Sequence, residues 1–190
     1  MGRLAVFVDG GYINRIARDN FKVNLDYGKL SQAITKEVGG RSAEPVELLR
    51  TLYYDCLPYQ SSKPTDEESE RFGKARKFYD ALGSLPRFDV RLGRLRYRGD
   101  DSLGRPMFQQ KGVDLLLGLD FALLAGKHQI GHAVIVAGDG DYIPAVEVAK
   151  QEGVCVWLFH GPSQSYAREL WNVVDERVLL TPSFMSGVAR

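Results

Sequence analysis

The chain alternates short, continuously apolar runs with longer stretches whose apolar residues recur every three or four positions. "RLAVFVD" (3–9), "PVELLRTLYYDC" (45–56), the run at 134–138 and "VCVWLFH" (154–160) are of the first kind. "LDYGKLSQAITKEVGG", with Leu30, Ala33, Ile34 and Val38, is of the second, as is "ESERFGKARKFYDALGSL" with Phe72, Ala75, Phe78, Tyr79 and Leu82. A strand that is apolar on both sides needs cover on both faces, and parallel neighbours need a crossover, which the helices supply. The pattern predicts an α/β class, with a mostly parallel central sheet covered on both faces. With 190 residues, 44% of them hydrophobic, and no internal repeat or long linker, residues 1–190 read as a single domain with a sizeable core.

Other segments complete the expected order. "FDVRLGRLRYRG" alternates apolar and basic residues, and "DDSLG" suits a hairpin turn into "RPMFQQ". "VDLLLGLDFALLAGK" is so apolar that a largely buried helix is expected, whereas "SYARELWNVVD" and "RVLLT" read as a last helix and a last strand. No apolar stretch reaches the ~18 residues of a membrane span, and no signal peptide is visible. Cys56 and Cys155 lie in apparent strands without metal-binding spacing, as expected of core thiols in a cytoplasmic protein. A net charge of +1 means that any surface for a polyanion must be local.

Carboxylates concentrate where such folds bind ligands, at the carboxyl ends of strands. "AVFVD" ends in Asp9, and "VIVAGDGD" ends in Asp139 and Asp141. Asp114 opens the apolar helix that leads into the second of these strands. That helix runs antiparallel to the strands, so its first turn returns to the same edge. Adjacent strands would bring the aspartates within reach of one another, since strands lie ~5 Å apart. Taken singly, each has an ordinary explanation as a turn residue, a helix cap or a first-turn acid. Gathered, they repel unless a cation sits among them, and an all-oxygen set favours Mg²⁺ or Mn²⁺. Asp120 falls on a different face of the helix and is expected to brace a basic or backbone group. His128 and His132 are expected to be exposed, and His160 to end a strand at the functional edge.

"FVDGGY", "YYD", "KGVDLLLGLD" and "AGDGDYIPAVEVAKQEG", in this order, resemble the NYN branch of the PIN-like nuclease superfamily, LabA-like (DUF88) type, from about Ala5 to Thr181. The resemblance implies a three-layer α/β/α, Rossmann-like (PIN-like) fold and a metal-dependent ribonuclease whose aspartates are Asp9, Asp114, Asp139 and Asp141, acting both as ligands of Mg²⁺ or Mn²⁺ and as catalytic groups. Ala137 replaces the usual serine of the last motif, and Tyr142 supplies its aromatic. Asn14 lies farther from Asp9 than the family's asparagine does from its aspartate.

The implied substrate is RNA, in single-stranded form. Local sequence agrees: seven Arg and Lys stand between Arg87 and Lys111 (87, 91, 94, 96, 98, 105 and 111) against three Asp. Arg94, Arg96 and Arg98 share one face if the segment is extended, with Tyr97 on the other, and would position phosphates. Lys111, three residues before Asp114, would touch a phosphate at or beside the cleavage point. The competing expectation is a non-catalytic RNA-, nucleotide- or metal-binding regulatory module on the same fold. A haloacid-dehalogenase-type phosphatase needs a second aspartate two positions after Asp9, where Gly11 stands. Monomer and homodimer both remain open.

Overall fold

The computed structural model describes residues 2–102 and 106–190, without the side chains of Pro106, Gln110 and Lys111. At its centre is β1 (Gly2–Asp9), a strand whose five residues Leu4 to Val8 are buried on both sides. Next to it run β2 (Val46–Cys56) on one side and β5 (His132–Val136) on the other, both parallel to β1. Beyond β2 come β3 (Phe88–Asp100) and β4 (Pro106–Lys111), and beyond β5 come β6 (Cys155–His160) and β7 (Glu176–Leu179). The sheet order is β4-β3-β2-β1-β5-β6-β7, with only the β3–β4 pair antiparallel. This is the expected α/β fold. The chain leaves β1 towards β2 and later returns to its other side at β5, so the switch in strand order lies between β1 and β5. The carboxyl ends of those two strands form the natural crevice.

Helices cover both faces. One apolar layer joins Leu4, Val6 and Val8 to α1 (Gly10–Ile16), α2 (Tyr27–Arg41) and α3 (Asp66–Gly83). The other joins Ala5 and Phe7 to α4 (Val113–Gly126), α5 (Ile143–Gln151) and α6 (Arg168–Val173). A short α7 (Pro182–Gly187), which the sequence pattern did not announce, closes the first layer through Met185. The start signals are local: Asp26 caps α2, Thr65 and Glu68 form a reciprocal capping box on α3, and Pro144 sits in the first turn of α5. The turn expected at "DDSLG" lies partly outside the described residues. No disulfide links Cys56 and Cys155. Among the described residues, no helix is long and apolar enough to cross a membrane.

The expectation that the helix at 113–126 is largely buried is corrected. Leu117, Phe121 and Ala125 are fully buried, but Leu115, Leu119 and Leu123 are 66%, 51% and 51% exposed. The sequence carries leucine on both sides of this helix, so periodicity could not show which side meets the sheet. Phe121 packs on Phe7 with ring centroids 4.5 Å apart. Removing that ring by Phe121→Ala should cost about 3–5 kcal/mol in urea unfolding, because a cavity remains. Leu119→Gln should change stability by no more than about 0.5 kcal/mol. Comparable losses in the two variants would mean that α4 is rotated.

Candidate functional site

Asp9 is the last residue of β1 and the N-cap of α1; its Oδ1 accepts from the backbone N–H of Tyr12 at 3.0 Å. Register places Asp9 beside Tyr54, so Asp55 is one residue farther along the same edge. Gly10 is needed here for space: a side-chain carbon would collide with the ring of Tyr53 and the carboxylate of Asp55. Burial raises the pKa of Asp9, and the charges of Asp55 and Asp114 push in the same direction; hydrogen bonds from Tyr12 and Tyr142 partly oppose them.

Asp114, in the first turn of α4, meets Asp9 through a third side chain. The Tyr142 hydroxyl is 3.0 Å from Asp114 Oδ1 and 3.2 Å from Asp9 Oδ2. Tyr142 is buried, and its burial together with the two carboxylates pushes its own pKa up. The tyrosine follows the "GDGD" turn, so the end of β5, the start of α4 and the end of β1 converge on one oxygen.

Asp139 and Asp9 line the same open cleft of about 420 Å³, with Gly11, Tyr12, Arg15, Gly138, Ser165 and others. Asp139 caps the 3₁₀ turn Gly140–Tyr142, its Oδ1 accepting from the Asp141 N–H at 3.0 Å. Asp141 contributes that backbone donor while its side chain stays exposed. The floor of the cleft is tight: a Cβ at Gly138 would strike the Ser165 carbonyl and the Tyr12 ring. Tyr12 holds the far wall, accepting from the Gly161 N–H at 2.8 Å and lying 3.2 Å from Ser165 Oγ.

Two residues of this edge, Asp55 and Arg15, were not singled out as site residues from the sequence. Asp55 has a pKa raised by burial and adds a negative group beside Asp9. It is oriented by a chain of donors: Tyr27 Oη to Asn14 Oδ1 at 2.6 Å, Asn14 Nδ2 to Tyr53 Oη at 2.9 Å, and Tyr53 Oη to Asp55 Oδ2 at 3.1 Å. Asn14 therefore acts through Tyr53. Arg15 lines the cleft with its guanidinium 5.9 Å from the centroid of the Tyr12 ring. Asp55 is the next-to-last residue of β2, close to the end that Asp9 occupies in β1, and that near parallel was the signal available in "YYD".

Among the other candidates, Arg94, Arg96 and Arg98 lie exposed on the β3–β4 ribbon, and Arg98 Nε donates to Gln109 Oε1 at 2.7 Å. Lys111 pairs with Arg94 in register, so its backbone ends the ribbon three residues before Asp114; its side chain lies outside the described residues. Arg105 also lies outside them. Asp120 is a brace, accepting from Tyr54 Oη at 2.9 Å and from Arg91 Nε at 3.2 Å. His160 is buried, with Nδ1 2.8 Å from the Gly161 carbonyl, and does not line the cleft. His132 is partly covered by Trp157, not exposed as expected.

The carboxylates suit a hard divalent cation in kind, and the arrangement sets the manner. Among the described residues, no three Asp, Glu, His or Cys side chains lie close enough together to hold an ion by themselves. Two facing carboxylates beside an open cleft match the habit of Mg²⁺, which keeps several waters and takes one or two carboxylates plus substrate phosphate.

A family model for the NYN domain matches residues 3–181. The chain belongs to the NYN domain family. NYN domains fall within the PIN-like superfamily and are generally nucleases. The crystal structure of VPA0982, a protein of unknown function from Vibrio parahaemolyticus, is similar, with a TM-score of 0.64 and 20% identity over 95% of this chain and 93% of that one. At that identity the likeness is one of fold. No curated protein matches the chain in sequence.

The raised pKa of Asp9 has a definite sign in stability. The folded carboxyl holds its proton more tightly than the unfolded one, so the native state is favoured below the ordinary value of 3.8 and loses that advantage as pH rises through the raised pKa. Asp9→Asn keeps an oxygen to cap α1 and removes the charge. In metal-free buffer its melting temperature should exceed the parent's at pH 7, and the gap should close towards pH 4. A gap that is constant across this range would show that the charge of Asp9 is not the cause.

Proposed function

We propose that this NYN domain is a Mg²⁺- or Mn²⁺-dependent endoribonuclease that hydrolyses single-stranded RNA in the cytoplasm, in the manner of LabA-like relatives. The observation that carries the reading is the placement of Asp9 and Asp114 on either side of one buried hydroxyl, with Asp9 and Asp139 lining one open cleft. A bound divalent ion would supply Lewis-acid charge at the phosphate and a water acidic enough to attack it. Asp9 and Asp114 would hold that ion. Asp139, and Asp141 from the rim, would orient the attacking water or act on the ion through its bound waters, since among the described residues no third carboxylate lies close enough to join the pair directly. Lys111 would steady a phosphate beside the one that is cut, while Arg94, Arg96 and Arg98 keep the strand in place.

Purified parent protein with Mn²⁺ should cut a circular single-stranded RNA, which has no ends for an exonuclease. Asp9→Asn, Asp114→Asn and Asp139→Asn should each lower turnover by about 100-fold while remaining folded. Undiminished cleavage by folded Asp114→Asn would remove the two-carboxylate site from the reaction. A metal-induced rise in melting temperature without cleavage would point instead to a binding module.

The arginines should affect binding more than chemistry. Changing Arg94, Arg96 and Arg98 together to Gln should weaken RNA binding and flatten its salt dependence by about 0.7 per lost phosphate contact on a log–log plot. Turnover at saturating RNA should change little. An unchanged salt slope would place the phosphate path elsewhere on the molecule.

A further inference from the structure

The β3–β4 ribbon carries different chemistry on its two faces. Arg94, Arg96 and Arg98 occupy one, while Tyr97 and Phe108, register partners across the two strands, occupy the other. Tyr59, from the segment after β2, lies against both rings. Its centroid is 5.0 Å from that of Phe108 and 6.2 Å from that of Tyr97, and the latter two are 6.0 Å apart. Tyr97 and Phe108 remain 43% and 39% exposed, so this is no closed core. The Tyr97 hydroxyl donates to Asp100 Oδ1 at 2.9 Å, which fixes the ring by its rim.

The position of the cluster follows from topology. Pairing between β2 and β3 ends at Cys56 and Gly93, so the remainder of β3 and its partner β4 extend past the carboxyl edge of the sheet. That edge holds Asp9 and Asp55. Tyr59 follows Asp55 by four residues, which limits their Cα separation to about 14 Å. The far strand of the ribbon runs directly into α4 and Asp114. The rings thus stand a few nucleotides from the carboxylates.

We propose that Tyr59, Tyr97 and Phe108 form a base-stacking subsite for unpaired nucleotides of the RNA strand. The proposal rests on the RNA-cleaving reading above and adds to it the residues that select an unpaired strand. Three exposed arginines match the backbone of a polyanion, and exposed aromatic rings on the same ribbon match its bases, the combination by which single strands are held without base-specific hydrogen bonds. A strand laid across the free edge of β4 brings bases to one face and neighbouring phosphates to the other. Paired bases have no free face to offer, so the subsite discriminates against duplex.

The test compares a fluorescent oligouridylate with an abasic oligomer of the same length and charge, bound in EDTA so that nothing is cut. The parent should bind the base-bearing oligomer about 5- to 100-fold more tightly. Tyr97→Ala/Phe108→Ala should lose most of that preference, bind the abasic oligomer as the parent does, and keep the parent's salt slope. Tyr97→Phe, which retains the ring, should retain the preference. A parent that cleaves RNA with Mn²⁺ yet keeps its full base preference in the double variant overturns the subsite alone. A parent that neither binds nor cleaves RNA overturns the ribonuclease reading, and the subsite with it. If the double variant shifts the sedimentation of the free protein while RNA affinity is unchanged, the patch belongs to a second copy of the chain and the subsite is refuted.

Discussion

One hydroxyl proton serves two carboxylates at the centre of this molecule. Tyr142 Oη lies within hydrogen-bonding distance of both Asp9 and Asp114, but a phenol can donate to only one of them at a time. Burial and the neighbouring carboxylates raise the pKa of Asp9 and so favour its protonated form. A protonated Asp9 can donate to the tyrosine oxygen while the tyrosine donates to Asp114. A divalent cation between the carboxylates would offset the same charges more strongly. Two acids thus share one hydroxyl donor, and the fold holds them there from three separate segments of chain.

What holds it is close packing at the switch in strand order. Gly10 and Gly138 sit where any side chain would strike Tyr53 and Asp55 on one side, or Tyr12 and Ser165 on the other. These approaches let α1 and the "GDGD" turn descend onto the strand ends. Ala167 N–H donates to the Gly138 carbonyl at 2.7 Å, which ties the loop before α6 to the same point. Chain geometry, more than attraction among the acids, forces the carboxylates together; left alone they would separate.

Much of this was legible in the sequence. Continuous apolar runs ending in aspartate gave the parallel strands and the shared edge, because strand polarity alone fixes which end a terminal residue occupies. The role of Asp120 could also be read, since a carboxylate on an apolar helix needs a partner, and it has Tyr54 and Arg91. The rest depended on distance in space. Tyr142 was visible only as the aromatic of a motif; its hydroxyl gains meaning from Asp114, 28 positions away. Asn14 looked misplaced relative to Asp9, but its amide donates to Tyr53 Oη, which in turn donates to Asp55. The buried side of α4 was hidden by leucines on every side of the helix.

The architecture separates two tasks that RNA cleavage would combine. The parallel sheet is covered on both faces, so the carboxylates at its edge ride on strands that cannot shift without disturbing two apolar layers. The β3–β4 ribbon is different: it is antiparallel, lies at the sheet's end and bears exposed rings and arginines. A two-stranded ribbon with little core of its own gains little stability from those side chains, so they are free to be set by what they contact. Chemistry needs ligands held to fractions of an ångström, whereas grip on a flexible strand needs area and charge. Lys111 and Asp114 mark the seam, since a short length of chain carries the ribbon into the helix that presents a carboxylate. Under the proposed reading, that short connection would set the distance between the ribbon's grip on a strand and the Asp114 carboxylate.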